Sequence, residues 1–399
     1  MKYIKELHKE ARRRDLYPDI PIVEEVAYPE LVLGGQKFLC LCSNNYLGLS
    51  IHPRVKKAAI KAIRRYGIGT CESRLVAGNL NIIEKLEQVI ADFKNAKDAM
   101  VFLSGFMANI GAIPAIMDSY QAYNLPAVDN NKNLIIRDIL THTSIIDGCK
   151  LSESYTKSYL HNDMNHLEKI LKRNKNKRKL IVTDGVFSMD GDMAPLDKIV
   201  ALARQYNAMI MVDDAHATGV IGENGRGTPE HFNVEDEIDI VMGTLSKATG
   251  GLGGYITGPT ELIDMLKVRA NTYVFTSTIP PEQAAGLIEA FKILKSTPEL
   301  RKKLWRNVKH LRSGLVELGF NILNSDTQII PVFIGDNEKS IQFARELYSK
   351  GVLASAIRYP AVASDQSRIR LSVMATHNRS QLNRALNVLE DVGKKVGII

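Results

Sequence analysis

Three short apolar runs, at 180–183, 208–212 and 238–242, constrain the fold of this chain more than any other feature. A helical pattern over 196–206 separates the first two. Strand, helix and strand at this spacing predict βαβ units and a mostly parallel sheet buried on both faces. Ligands in such sheets sit beyond the carboxyl ends of the strands. That rule singles out Asp184, Asp213 and Thr244, each beside polar or glycine-rich sequence.

Further patterns fill in the rest. Residues 1–16 read as a charged amphipathic helix, and Pro18, Pro21 and Pro29 mark an irregular connector. Short strands are expected at 38–42 and 99–103, and helices at 53–65 and 82–94. The polar stretch 118–133 reads as a surface insertion. Strands are expected again at 329–334, 352–357 and 368–373, with a closing helix over 380–395. A length of 399 residues favours a large domain with a smaller one appended. The expected division is 1–52 for an N-terminal helix and connector, 53–289 for the large domain and 290–399 for a small C-terminal α/β domain.

The chemistry starts from Gly243-Thr244-Leu245-Ser246-Lys247, followed by Gly250-Gly251-Leu252-Gly253-Gly254. A lysine at the foot of a strand, flanked by small and hydroxyl residues, suits a Schiff base with a planar aldehyde cofactor. Nearby hydroxyls and backbone N–H groups can hold a phosphate. The GxxxxGK[ST] pattern of a nucleotide phosphate loop is absent. Asp213 ends the preceding strand, where its carboxylate can pair with a pyridinium nitrogen and keep a pyridoxal ring electron-poor. His216, one turn on, can reach the ring's phenolic oxygen or the carboxylate. The plainer alternative makes Asp213 a helix cap and His216 an ordinary residue. His142, in Thr141-His142-Thr143-Ser144, can stack on the ring, although a lone histidine is more often structural.

Taken in order, these runs resemble the α-oxoamine synthases, a family of fold-type I pyridoxal-phosphate (PLP) enzymes. The resemblance rests on Ser43-Asn44-Asn45-Tyr46-Leu47-Gly48-Leu49, Ser73-Arg74-Leu75-Val76-Ala77-Gly78, Ser104-Gly105-Phe106 and His142 through Gly148. It continues through Asp184 to Gly191, the Asp213/His216 and Lys247 runs, and Arg368-Ile369-Arg370. The resemblance implies the fold-type I architecture and a role for each matching residue. Lys247 carries the cofactor and acts as base and acid. Asp213 pairs with the pyridine nitrogen, His216 assists at the phenolic oxygen, and His142 stacks on the ring. Gly105, Phe106 and Thr244 hold the phosphate, and Ser188 lies near the ring oxygen. Ser277 and Thr278 reach the phosphate of a neighbouring subunit, so the implied unit is a homodimer with shared active sites. Arg370 binds the amino-acid carboxylate, with Asn45 nearby. Arg368 is read as pointing to the opposite face from Arg370. The threonines flanking His142 depart from the family's usual Asn-His-Ala-Ser pattern, and the 118–133 stretch is longer than usual.

The implied reaction joins a small amino acid to an acyl-CoA and releases CoA and CO2. Glycine or L-alanine is the expected acceptor, and a serine C-acyltransferase with a long-chain donor is the alternative. Arg358 resembles the alanine–pimeloyl branch, where it would meet an acyl carboxylate or CoA; a plain surface arginine is the competing reading. An aminotransferase or lyase of the same fold would need no CoA.

The remaining features exclude other classes. The net charge of +8 is partly concentrated in 172–179. No aromatic residue interrupts that run to stack bases, so a helix end before a buried strand is preferred to a nucleic-acid surface. Cys40, Cys42, Cys71 and Cys149 fit no metal template and are expected to be free thiols. No metal, nucleic-acid partner or integral membrane association is expected. No apolar secretory segment opens the chain, and a cytoplasmic location is expected.

Overall fold

The computed structural model describes residues 1–13, 17, 20–118 and 132–399. Within them, a seven-stranded sheet runs in the order Asp98–Phe102, Gly254–Gly258, Ile240–Thr244, Ala208–Asp213, Arg178–Asp184, Asn133–Asp138, Tyr155–Tyr159. The last five of these strands pair in parallel. The Gly254–Gly258 strand runs antiparallel to both neighbours. This is the α/β, mostly parallel sheet that the apolar runs predicted.

Alternation sends successive side chains of each strand to opposite faces. Leu180 and Val182 pack on one side with Ala108, Ala112 and Ile116 of the helix Gly105–Met117. Ile181 packs on the other with Leu167 and Ile199 of the helices Met164–Arg173 and Leu196–Tyr206. The Gly105–Met117 helix is apolar almost all round, as a helix enclosed by core must be. Ser104 caps it, its Oγ accepting from the Met107 N–H at 3.1 Å.

Parallel pairing places several strand C-termini on one edge. Asp184 lies directly across from Asp213. The antiparallel strand brings its first residue, Gly254, to the same edge, between Thr244 and Phe102.

Two smaller sheets sit apart. Ile329–Phe333, Arg368–Ser372 and Ser355–Ile357 form one, wholly antiparallel. In the other, Glu25–Ala27, Glu30–Leu33 and Gln36–Cys40 are joined by Val352–Leu353, which pairs in parallel with the third. The N-terminal connector is therefore stitched to the C-terminal region. The expected strand at 352–357 is two short strands, each in a different sheet.

Most of the stretch read as an insertion, residues 119–131, lies outside the described residues; its end, however, starts the strand Asn133–Asp138. In the basic run, Lys179 is buried and its ammonium donates to the carbonyls of Lys175 and Lys177, at 3.2 and 2.6 Å. No described helix is long and apolar enough to cross a membrane.

Candidate active site

The edge where the strands end forms a cleft of about 700 Å³. Gly105, Phe106, His142, Ser188, Asp213, His216, Thr244 and Lys247 all line it, so the structure brings eight of the expected residues together. Ser104, Ser144, Asp184 and Ser246 join them.

Asp213 is a buried carboxyl group of the cleft. Asn109 Nδ2 donates to its Oδ2 at 2.8 Å, and the Ala215 N–H to its Oδ1 at 3.1 Å. Burial raises its pKa, while Lys247 and the Asn109 hydrogen bond work the other way. Its successor Asp214 serves the core: it pairs with Lys94 at 2.9 Å and accepts from Thr228. Across the ladder, Asp184 is pushed well above the usual carboxylate range by burial and by Asp213. Its Oδ2 accepts the His142 N–H at 3.0 Å, fixing the start of the helix Thr143–Leu151.

Lys247 follows the Ile240–Thr244 strand. Burial brings its amine down to about 8; Asp213 opposes this and Arg370 adds to it. His216 is held well below its ordinary value by burial, then by Lys247 and Arg370, so it is neutral at pH 7. Its Nδ1 meets the Tyr46 hydroxyl at 2.7 Å. Burial also lowers His142, which sits edge-on to Phe106 with ring centroids 6.3 Å apart.

Backbone defines the far end of the cleft. The first-turn N–H groups of the helix at Gly105 point there, a ready anion site. A Cβ on Gly254 would come within 2.5 Å of the Ser104 carbonyl and the Gly105 nitrogen, so only glycine allows this approach. The Thr244 hydroxyl lies 2.8 Å from Ser246 Oγ.

Arg370 reaches the cleft from the three-stranded sheet. Its Nε donates to the Ser188 carbonyl at 2.5 Å, and its Nη2 to Asn44 Oδ1 at 3.2 Å. Asn44 Oδ1 also accepts from Tyr46 at 3.1 Å. A continuous path thus links Arg370 to His216. The neighbouring Asn45, the asparagine singled out from sequence, instead bonds Ser50 at 2.8 Å. The expectation that Arg368 points away from Arg370 does not hold. Residues i and i+2 of a strand share a face, and both arginines reach the same loop, Arg368 pairing there with Asp190.

Two expected groups lie elsewhere. Arg358 lines a second cleft with Cys42, Arg345 and Ser355. Ser277 is exposed, and the buried Thr278 hydroxyl has no hydrogen-bond partner among the described residues.

The family model for aminotransferase class I and II matches residues 36–389, and the chain belongs to that family. Within it the chain falls among the α-oxoamine synthases. It is 44% identical to 8-amino-7-oxononanoate synthase of Thermoanaerobacter pseudethanolicus over 399 residues, 100% of this chain and 98% of that one. Serine palmitoyltransferase of Sphingomonas wittichii superposes with a TM-score of 0.92 at 31% identity, covering 98% of this chain and 97% of that one. A variant of serine palmitoyltransferase from S. paucimobilis, solved with bound PLP–myriocin, gives 0.93 at 31% identity, covering 100% and 99%.

Proposed function

We propose that this chain is a PLP-dependent C-acyltransferase that condenses a small amino acid with an acyl-CoA, releasing CoA and CO2. One observation carries the reading. Lys247, Asp213, His142 and His216 converge on a cleft that ends at a helix N-terminus, while Arg370 enters from a separate sheet.

The residues fit PLP. Asp213 is a nearly inaccessible carboxylate that faces the cleft without a cation bonded to it among the described residues, and a protonated pyridine nitrogen would complete it. The first-turn N–H groups at Gly105 and Phe106, with Thr244 and Ser246, would hold the phosphate. His142 would flank the ring, and His216 and Ser188 would lie toward its oxygen. When bound, PLP supplies an electron sink for the carbanion at the amino acid's α-carbon and for the electrons left by CO2. The protein's own residues do the rest. Lys247, with its amine near 8, takes and returns a proton close to neutral pH. Arg370 grips the amino-acid carboxylate with its planar guanidinium. Asn44, already bonded to Arg370, orients that grip in place of Asn45.

L-Alanine with a pimeloyl thioester is the favoured pair, on the 44% identity to an 8-amino-7-oxononanoate synthase over the full chain. We also propose a homodimer with shared sites. Ser277 is bridged to Ser73, and close to these two along the chain the apolar side chains of Phe275 and Val76 lie on the surface, 81% and 74% exposed. A partner covering this surface would satisfy the Thr278 hydroxyl through its cofactor phosphate. Residues 53–289 are proposed as the large domain and 290–399 as the small one, the N-terminal strands being attached to the latter.

A panel of acetyl-, pimeloyl- and palmitoyl-CoA crossed with glycine, L-alanine and L-serine, read as free CoA release, tests the assignment. Release with L-alanine and pimeloyl-CoA is expected. Release only with L-serine and palmitoyl-CoA would move the chain to the other branch, and α-keto-acid formation without CoA would overturn the reaction.

A further inference from the structure

Two walls of the cleft are tied together by a side chain that does not line it. His161 follows the edge strand Tyr155–Tyr159, and each of its ring nitrogens meets a carboxylate. Nδ1 lies 3.1 Å from Asp138 Oδ1, and Nε2 lies 2.8 Å from Asp192 Oδ2. A neutral imidazole has one N–H and could serve only one of them; serving both requires the cation. Burial works against that charge, but the hydrogen bonds to Asp138 and Asp192 outweigh it and raise the ring to about 10.

Each carboxylate belongs to a different wall. Asp138 is fully buried at the end of its strand, and its oxygens also accept the N–H groups of Leu140 and Asn162, at 2.8 and 2.9 Å. It thereby fixes the turn that leads into His142. Asp192 closes the loop after Asp184. Its carbonyl accepts the Phe187 N–H at 3.0 Å, and the Phe187 carbonyl accepts the Gly191 N–H at 2.8 Å. Within that loop Ser188 receives Arg370, and Asp190 pairs with Arg368. The clamp has two supports. The rings of Phe187 and His161 meet at right angles with centroids 4.4 Å apart, and Asn162 Nδ2 donates to Asp192 Oδ2 at 3.0 Å. The path from His161 to the two arginines therefore runs through one short loop, and the path to His142 through one turn.

We propose that His161 is a positioning residue: as a doubly bonded imidazolium it sets the spacing between the His142 wall and the loop that seats Arg370. The role rests on the reading of the cleft given above. A loose Ser188 carbonyl would leave Arg370 free to turn, so the substrate carboxylate would meet a poorly aligned fork. Productive alignment tolerates little error, since misplacement by about 1 Å can cost on the order of a hundredfold.

The test uses the PLP-loaded enzyme and three variants. His161→Gln offers one donor group and turns its carbonyl toward a carboxylate. His161→Arg restores charge and donors on both sides. Asp192→Ala cuts the loop arm alone. Spectral titration with L-alanine, glycine and L-serine in the absence of acyl-CoA reads amino-acid binding, and steady-state kinetics separate the two substrates. His161→Gln should raise the amino-acid dissociation constant about tenfold or more and leave the acyl-CoA KM within about twofold. His161→Arg should recover most of that loss. Asp192→Ala should reproduce the defect, and the double variant with His161→Gln should be no worse than the poorer single one. Unchanged amino-acid constants in a folded His161→Gln, failure of His161→Arg to recover them, or additive losses in the double variant would each overturn the proposal. Should His161→Gln not fold, Asp192→Ala and His161→Arg still decide it. If the wild-type enzyme binds none of the three amino acids, it is the reading of the cleft that fails.

Discussion

The free-amine content of Lys247 can be set against a number. An ordinary lysine titrates at 10.5, and this one is brought to about 8. At pH 7 the neutral fraction therefore rises from roughly one in 3,000 to about one in ten, a gain of roughly 300-fold. Only the neutral amine attacks an aldehyde, so covalent capture of PLP by cofactor-free enzyme should follow that fraction. The capture rate should climb about ninefold from pH 6 to 7 and about fivefold from pH 7 to 8, then gain no more than about twofold above pH 8. Stopped-flow mixing of cofactor-free enzyme with PLP, followed by the absorbance of the bound cofactor, reads this directly. The neighbours fix the sign of two controls. Asp213 raises the lysine, so Asp213→Asn should move the bend below pH 8; Arg370 lowers it, so Arg370→Gln should move the bend above pH 8. A rate still climbing without a bend at pH 9.5 would refute the environment assigned to Lys247. So would the two variants shifting the bend in the same direction.

Three other outcomes are expected. Arg370→Lys should weaken amino-acid binding by about tenfold to a hundredfold, the loss of roughly 1.5–3 kcal/mol from a bidentate grip, and leave the acyl-CoA KM nearly unchanged; spectral titration checks it. Asp214→Ala should destabilise the protein by about 3–5 kcal/mol, because it strands the buried Lys94 ammonium, and denaturant unfolding measures this. Mixed dimers of Lys247→Ala with Ser277→Ala/Thr278→Ala subunits should regain one working site and CoA release, and no recovery on mixing would remove the shared-site arrangement.

What the sequence made legible was set by burial. The strands Arg178–Asp184, Ala208–Asp213 and Ile240–Thr244 read as apolar runs because both faces of the sheet are covered. Tyr155–Tyr159, at the sheet edge and largely exposed, carries no such run and is invisible to that pattern. Gly254–Gly258 is hidden because it is short and its first residue belongs to the glycine-rich run that follows Lys247. Residues that line the cleft at motif positions are legible, whereas those acting through geometry are not. Asn109 sits on an apolar helix 104 residues before Asp213, and nothing local in the sequence announces that contact. Asn44 and Asn45 are adjacent and chemically identical, and only the turn around Tyr46 decides which one meets Arg370. Tyr46 is fully buried, yet its hydroxyl bonds His216.

The pairing of Val352–Leu353 with Leu39 and Cys40 bears on how the chain assembles during synthesis. All seven strands of the large sheet fall between residues 98 and 258. That sheet can close while the C-terminal third is still being made, as units nearer the N-terminus generally do. The N-terminal strands are made earlier than the sheet but must wait for residues made much later before their last partner arrives. Asn44 and Tyr46 follow directly on those strands, and Arg370 lies further on than their partner. On the proposed roles, a nascent chain would thus hold the Lys247 cleft before it holds Arg370, and would be fit to take up PLP before it is fit to turn over an amino acid.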